Sequence, residues 1–160
     1  MKTYTPSEAR AKAEGFCAYQ ERSHQEVRDK LYSYGLWRDD VEEVLTQLIT
    51  DGFLNEERFA KAYAGGKFRS KHWGKTKIEN ELKFKGISKR CIQTGLKEID
   101  ARDYRKTLVK LIKKKNETLT EPNLFKRRNK IGKFVIGKGY EAELVWSMVM
   151  EVVGEKDLYL

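Results

Sequence analysis

Two cysteines, two histidines and two prolines are all that the 160 residues contain. Cys17 and Cys91 are too few for a disulfide framework. With His24 and His72 they show no zinc-ligand spacing, so no metal and no cofactor is expected. Average usage of about 5% would give roughly eight prolines. Few prolines among many Lys, Glu, Leu and Arg favour helices. No apolar run approaches the roughly 18 residues of a membrane span. Met1 to Arg22 is polar and lacks the apolar core of a secretory signal. H-E-x-x-H, G-x-S-x-G and S-x-x-K motifs are also missing, which argues against an enzyme. These absences leave a soluble, cytoplasmic, basic helical protein as the expectation.

What is abundant is charge, and it is unevenly placed. Lys and Arg number 33 against 24 Asp and Glu, a net +9. Residues 1–60 hold 8 basic and 12 acidic groups. Residues 61–138 hold 24 basic and 7 acidic groups, and 139–160 hold 1 and 5. A central block at net +17 attracts a polyanion over about a Debye length. Nucleic acid is the first candidate, an acidic protein surface the second, and a solvated face the plain alternative.

One spacing recurs three times: an apolar residue, another four later, then Gly four later followed by an apolar residue. It reads Val27, Leu31, Gly35-Leu36, then Ile78, Leu82, Gly86-Ile87, then Ile131, Val135, Gly139-Tyr140. Beyond each Gly the pattern continues at Val41, Leu45 and Leu48, at Ile92, Leu96 and Ile99, and at Val145, Val149 and Val152. Spacings of three and four place residues on one helical face. A terminal Gly suits a left-handed turn. Each repeat therefore predicts a helix, a Gly turn and a second helix, preceded by longer helices over about 6–21, 55–71 and 101–116. Thr5-Pro6-Ser7-Glu8 and Ser23 with Glu26 read as capping boxes, and Asn55, Ser88 and Asp100 as further caps. Glu121-Pro122-Asn123 is the clearest break. The expected architecture is all-α, with three three-helix repeats at 1–52, 53–100 and 101–160 forming an elongated, curved body. One compact bundle is the alternative.

Several motifs tempt a functional reading. Gly132 to Gly139 nearly spells a P-loop, but the eighth position lacks the hydroxyl that binds magnesium. Asp39-Asp40 and Glu42-Glu43 fit a helix start better than acid–base chemistry. Phe53, Phe59, Tyr63, Tyr104 and Trp146 fall at core spacing. His24 follows a cap and reads as a surface position. Trp73 lies in a basic run with Phe68, where it is either a base-stacking platform or a packed joint residue. A DNA-reading helix-turn-helix is disfavoured, because the second helices carry Asp39, Asp40, Glu42, Glu43, Glu141, Glu143 and Glu151, which would repel phosphate. The candidate binding patch is Lys67, Arg69, Lys71, Lys75, Lys77, Lys83, Lys85, Lys89, Arg90, Lys113, Lys114, Lys115, Lys126, Arg127, Arg128, Lys130 and Lys133. That arrangement suits backbone contacts better than base-edge readout.

The chain resembles the RecX family of bacterial regulatory proteins. The likeness runs from Ala18-Tyr19 through Arg22-Ser23 and Glu26-Val27-Arg28 to Lys30-Leu31, Gly35, Leu36 and Leu48. It is most specific at Gly52-Phe-Leu54-Asn-Glu56-Glu-Arg58-Phe59-Ala60-Lys-Ala-Tyr63. It continues at Gly74-Lys-Thr-Lys77-Ile78-Glu-Asn-Glu81-Leu82-Lys-Phe-Lys85-Gly86-Ile87-Ser88. Beyond about residue 100 only the apolar repeat supports it. The departures are Asn55 where Asp is usual and Trp37-Arg38 where a small capping residue is usual. The resemblance implies a modulator, usually an inhibitor, of the RecA recombinase that lies in the groove of the RecA filament and bridges its protomers. It implies lowered ATP hydrolysis, strand exchange and coprotease activity in DNA repair and the SOS response. No catalytic residues are carried over. The implied partners are the RecA filament and single- and double-stranded DNA, bound weakly by the chain alone; no membrane is involved, and a monomer is expected. The alternatives are a general architectural DNA-binding protein and, least favoured, an enzyme acting on nucleic acid.

Overall fold

Cap chemistry sets the first helix. The Glu8 N–H donates to Thr5 Oγ1 at 3.2 Å and the Thr5 N–H donates to Glu8 Oε1 at 3.1 Å, a closed capping box. In the computed structural model, residues 3–154 are described, and they form nine helices. These are α1 (Pro6–Tyr19), α2 (His24–Ser33), α3 (Arg38–Thr50), α4 (Glu56–Lys71), α5 (Lys75–Phe84), α6 (Lys89–Leu96), α7 (Ala101–Thr118), α8 (Leu124–Gly137) and α9 (Ala142–Val152). The described residues contain no strand. Met1, Lys2 and residues 155–160, at the outer ends of the first and third expected repeats, lie outside the described residues.

The remaining caps fall where the sequence places them. Asn55 accepts from the Arg58 N–H at 2.8 Å, Ser88 from Cys91 at 3.3 Å, and Asp100 from Asp103 at 2.9 Å. Ser23 accepts from Glu26 at 3.1 Å, but the Glu26 carboxylate turns to the Ser23 hydroxyl rather than to its backbone. Asn123 caps α8 after the Glu121-Pro122 break. Trp37 precedes α3 with no side-chain cap bond, forgoing about 1 kcal/mol that Ser or Asp would supply. Gly35, Gly86 and Gly139 have φ of +89°, +80° and +104°, the left-handed turns the repeat predicts.

The chain divides into two compact units whose segments interleave along the sequence. One comprises 1–63 and 82–95, the other 64–81 and 96–160. The divisions fall inside α4 and α5 and before the last residue of α6. Unit 1 buries Ala9, Ala13 and Cys17 of α1 against Val27 and Leu31 of α2 and Val41, Val44, Leu45 and Leu48 of α3. Its second segment contributes the buried Leu82, Ile87, Cys91 and Ile92. Unit 2 buries Tyr104, Leu108 and Ile112 of α7, Ile131 and Val135 of α8, and Val145, Met148 and Val149 of α9.

Three expectations need correction. Trp146 is 38% exposed, and its six-membered ring lies against Gly132 of α8; a Cβ there would sit 2.1 Å from it. Phe59 and Tyr104 are buried, while Phe53 and Tyr63 are only half-buried. His24 is half-buried, and its Nε2 is shielded from solvent with no hydrogen-bond partner. The P-loop look-alike is closed by its setting, since Gly132 to Gly137 lie within α8.

Candidate nucleic-acid and protein-binding surface

The basic run around Trp73 forms a rigid corner inside unit 2. Helix α4 ends at Lys71, and His72 takes a left-handed conformation with φ +57°, uncommon for a residue with a side chain. Its carbonyl accepts from the Tyr140 hydroxyl at 2.9 Å. The backbone N–H groups of Gly74, Lys75 and Thr76, at the start of α5, all find partners. Gly74 donates to the Lys138 carbonyl at 2.9 Å, Lys75 to Tyr104 Oη at 2.9 Å, and Thr76 to the Gly139 carbonyl at 2.9 Å. The Tyr104 hydroxyl in turn donates to the Glu141 carboxylate. Burial first, and then this bond, raise the Tyr104 hydroxyl far above the ordinary tyrosine range. Tyr104 and Tyr140 stack with centroids 5.0 Å apart. Gly74 and Gly139 meet backbone to backbone, for a Cβ on Gly74 would lie 2.2 Å from the Gly139 carbonyl carbon.

This corner presents the cations around Trp73. The Trp73 ring is half-buried, with Lys67 Nζ 5.2 Å and Lys77 Nζ 4.6 Å from its centroid. Lys75 Nζ stands 4.8 Å over Tyr104. The indole thus gathers ammonium groups. Trp73 is both a joint residue and a platform for positive charge, and a stacking base would compete with those lysines for its face.

The other candidate residues divide by environment. Arg69, Lys71, Lys83, Lys89, Arg90, Lys113, Lys114, Lys126, Lys130 and Lys133 are exposed; Lys85 and Lys115 are half-buried. Lys83, Lys85, Lys89 and Arg90 belong to unit 1 and the rest to unit 2. Lys115 Nζ sits 4.6 Å over Phe134, and Lys130 pairs with Glu121 at 3.1 Å, which holds that carboxyl below its usual range.

Arg127 does not belong to an exposed patch. It is 6% exposed, and its guanidinium donates to the carbonyls of Asn116, Leu119 and Glu121 and to Asn116 Oδ1 at 2.7–3.1 Å. Those carbonyls lie at and after the end of α7, so Arg127 fastens the break between α7 and α8. Its neighbour Arg128 donates through Nε to the Val153 carbonyl at 2.8 Å.

A basic stripe on α7 escaped the sequence reading except for Lys113. Arg102, Lys106, Lys110 and Lys113 are all exposed. Spacings of four, four and three set them on one face, opposite Tyr104, Leu108 and Ile112. The eye goes to the run Lys113-Lys114-Lys115, whereas the helical phase separates an outward Lys113 from a half-buried Lys115.

Similarity to known proteins enters here. Residues 9–48 match the RecX first three-helix domain and residues 55–96 the RecX second three-helix domain. The chain belongs to the RecX family. Among curated relatives, regulatory protein RecX of Clostridium perfringens (strain 13 / Type A) is 30% identical over 137 residues, covering 84% of this chain and 64% of the relative. Regulatory protein RecX of Bacillus cereus (strain B4264) is 26% identical over 142 residues, covering 89% and 53%. The chain thus spans between half and two thirds of the length of these relatives. The crystal structure of RecX from Lactobacillus salivarius superposes with a TM-score of 0.83 at 23% identity, over 92% of this chain and 96% of that one. A second solved structure of regulatory protein RecX gives 0.77 at 21% identity, over 91% and 73%. At these identities the structures speak to the fold, a set of helical repeats. Beyond the two matched RecX domains, α7, α8 and α9 repeat the order of a long helix, then a Gly-turn pair.

Proposed function

We propose that this chain is a regulator of the RecA recombinase that binds the RecA–DNA filament and lowers its ATPase, strand-exchange and coprotease activities. The observation that carries this reading is the match of consecutive segments, 9–48 and 55–96, to the two RecX three-helix domains. The chain acts as three repeats, 1–52, 53–100 and 101–160. It works as a monomer in the cytoplasm, by occupancy and bridging rather than by chemistry. Among the described residues, no helix is long and apolar enough to cross a membrane, and no group of three or more His, Cys, Asp or Glu is placed to hold a metal ion. The basic residues around Trp73 and on α5 meet the filament. A second reading, a general architectural DNA-binding protein, is favoured by one observation: unit 2 carries 20 basic against 12 acidic residues.

Steady-state ATP hydrolysis by RecA from the same organism separates the two. With single-stranded DNA in excess, titration of the chain lowers the rate at well below one chain per RecA. An unchanged rate, together with tight binding to naked DNA, favours the architectural reading. Replacing Lys75, Lys77, Lys83 and Lys85 with Glu weakens filament binding and leaves helicity intact. Undiminished inhibition by that variant places the interface elsewhere.

A further inference from the structure

The outer face of α7 is the most concentrated set of uncommitted cations in unit 2. Arg102, Lys106, Lys110 and Lys113 are exposed, and among the described residues none has an ion-pair partner. Eleven residues separate the first from the last, about 16 Å of helix at 1.5 Å per residue. An open groove of about 560 Å³ lies along this face, lined by Asp103, Lys106, Thr107, Val109, Lys110 and Lys113. Asp103 at its edge is the one carboxylate among the described residues of that lining. The far side of α7 is committed to the core through Tyr104, Leu108 and Ile112.

We propose that this face of α7 is a docking surface for the sugar–phosphate backbone of double-stranded nucleic acid. Among the described residues, no amide side chain that could pair with adenine lines the groove. A row of cations about one helical turn apart suits a line of phosphates instead. The choice of duplex over single strand rests on two points. Among the described residues no aromatic side chain lines the groove, so the stacking half of single-strand recognition is missing there. A duplex also presents charge every 1.7 Å or so along its axis, twice the density of one strand. The contact needs no recombinase, so it stands or falls apart from the filament reading.

The test uses the full chain alone and a labelled duplex of about two helical turns, followed by fluorescence anisotropy at several salt concentrations. Four phosphate contacts contribute about −0.9 each to the slope of log affinity against log salt. The wild-type chain therefore loses at least about 100-fold between about 50 and 200 mM salt. A variant carrying Arg102→Ala, Lys106→Ala, Lys110→Ala and Lys113→Ala keeps its helicity, since Ala is the best helix former. It binds at least about tenfold more weakly at 100 mM salt, with a slope shallower by about 3 to 4. A control with the same net charge outside the candidate patch, Lys12→Ala, Lys30→Ala, Arg38→Ala and Lys97→Ala, loses less than half as much slope. Lys106→Arg with Lys110→Arg and Lys113→Arg retains wild-type binding. Equal losses in the control and the α7 variant overturn the proposal, because binding then follows net charge and not this face. A single strand of equal length that binds wild type as tightly as the duplex also overturns it, as does no duplex binding at about 50 mM salt. Tight capture of an acidic peptide in place of the duplex would reassign the face to a protein partner.

Discussion

The two units use their charge in opposite ways. Unit 1 has 13 basic and 12 acidic residues, and three of its six arginines are spent on carboxylates. Arg10 reaches Glu14 at 3.1 Å and also Asp51, Arg28 reaches Glu42 at 2.7 Å, and Arg58 reaches Glu21. Unit 2 has eight more basic than acidic residues. Two of its arginines, Arg127 and Arg128, are spent on backbone carbonyls, and a lysine and arginine stripe on α7 is left outward. Charge neutralised locally projects little field, while spare cations steer a polyanion. Counting residues along the chain does not reveal this difference; the partner of each guanidinium does.

The Gly turns make a second contrast. Gly86, in unit 1, has open space where a Cβ would go, whereas Gly139, in unit 2, would drive one to 2.3 Å from Lys77 Cβ. Gly86→Ala costs only the left-handed strain, about 1–2 kcal/mol. Gly139→Ala adds overpacking, for a total of about 2–5 kcal/mol. Chemical denaturation of both variants measures the gap, and equal losses would show that the Gly74–Gly139 contact does not tighten unit 2. Next in size is Arg127→Met, which strands the carbonyls at the end of α7 and costs about 2–4 kcal/mol. Lys126→Met, one position away and exposed, stays within about 0.5 kcal/mol. A thermal-melt pair that reversed this order would return Arg127 to the surface patch.

Tyr104→Phe deletes the hydroxyl between Lys75 N–H and Glu141, at about 1–3 kcal/mol. The loss appears as a lower denaturation midpoint and a changed Trp73 emission. Neither change would mean that the corner stands without that hydroxyl. The smallest effect belongs to unit 1. The Arg28 guanidinium holds the Glu42 carboxyl below its ordinary 4.5. A carboxyl depressed in the folded state stabilises fully above its unfolded value, and that share disappears as pH falls through the folded one. For so exposed a pair the share is about 0.2–1 kcal/mol. Thermal midpoints from pH 6 to pH 3 should therefore fall slightly less for Glu42→Gln than for wild type, and an identical decline in both leaves the pair without measurable weight.

Local chemistry was readable along the chain. The three Gly turns, the caps at Thr5, Ser23, Asn55, Ser88 and Asp100, and the break at Glu121-Pro122-Asn123 each depend on neighbours within a few residues. Arg127 was readable only by phase: it sits four and eight residues before Ile131 and Val135, on the buried side of α8. In a run of Lys126-Arg127-Arg128, composition hides that. The pairing of Gly74 with Gly139, the hold of Tyr140 on His72 and the seat of Trp146 on Gly132 join positions 14 to 68 residues apart. No local pattern encodes which distant partner fills such a gap.

The interleaving of the two units also orders events during synthesis. A ribosome that has released residue 63 has not yet made Leu82, Ile87, Cys91 and Ile92, which unit 1 buries. By the time they emerge, residues 64–81 are already out and await partners in α7 to α9 that are still unmade. Nascent chains commonly complete one domain before starting the next. Here the first unit closes only after a piece of the second has been synthesised, so a stop anywhere between 64 and 95 leaves neither half complete.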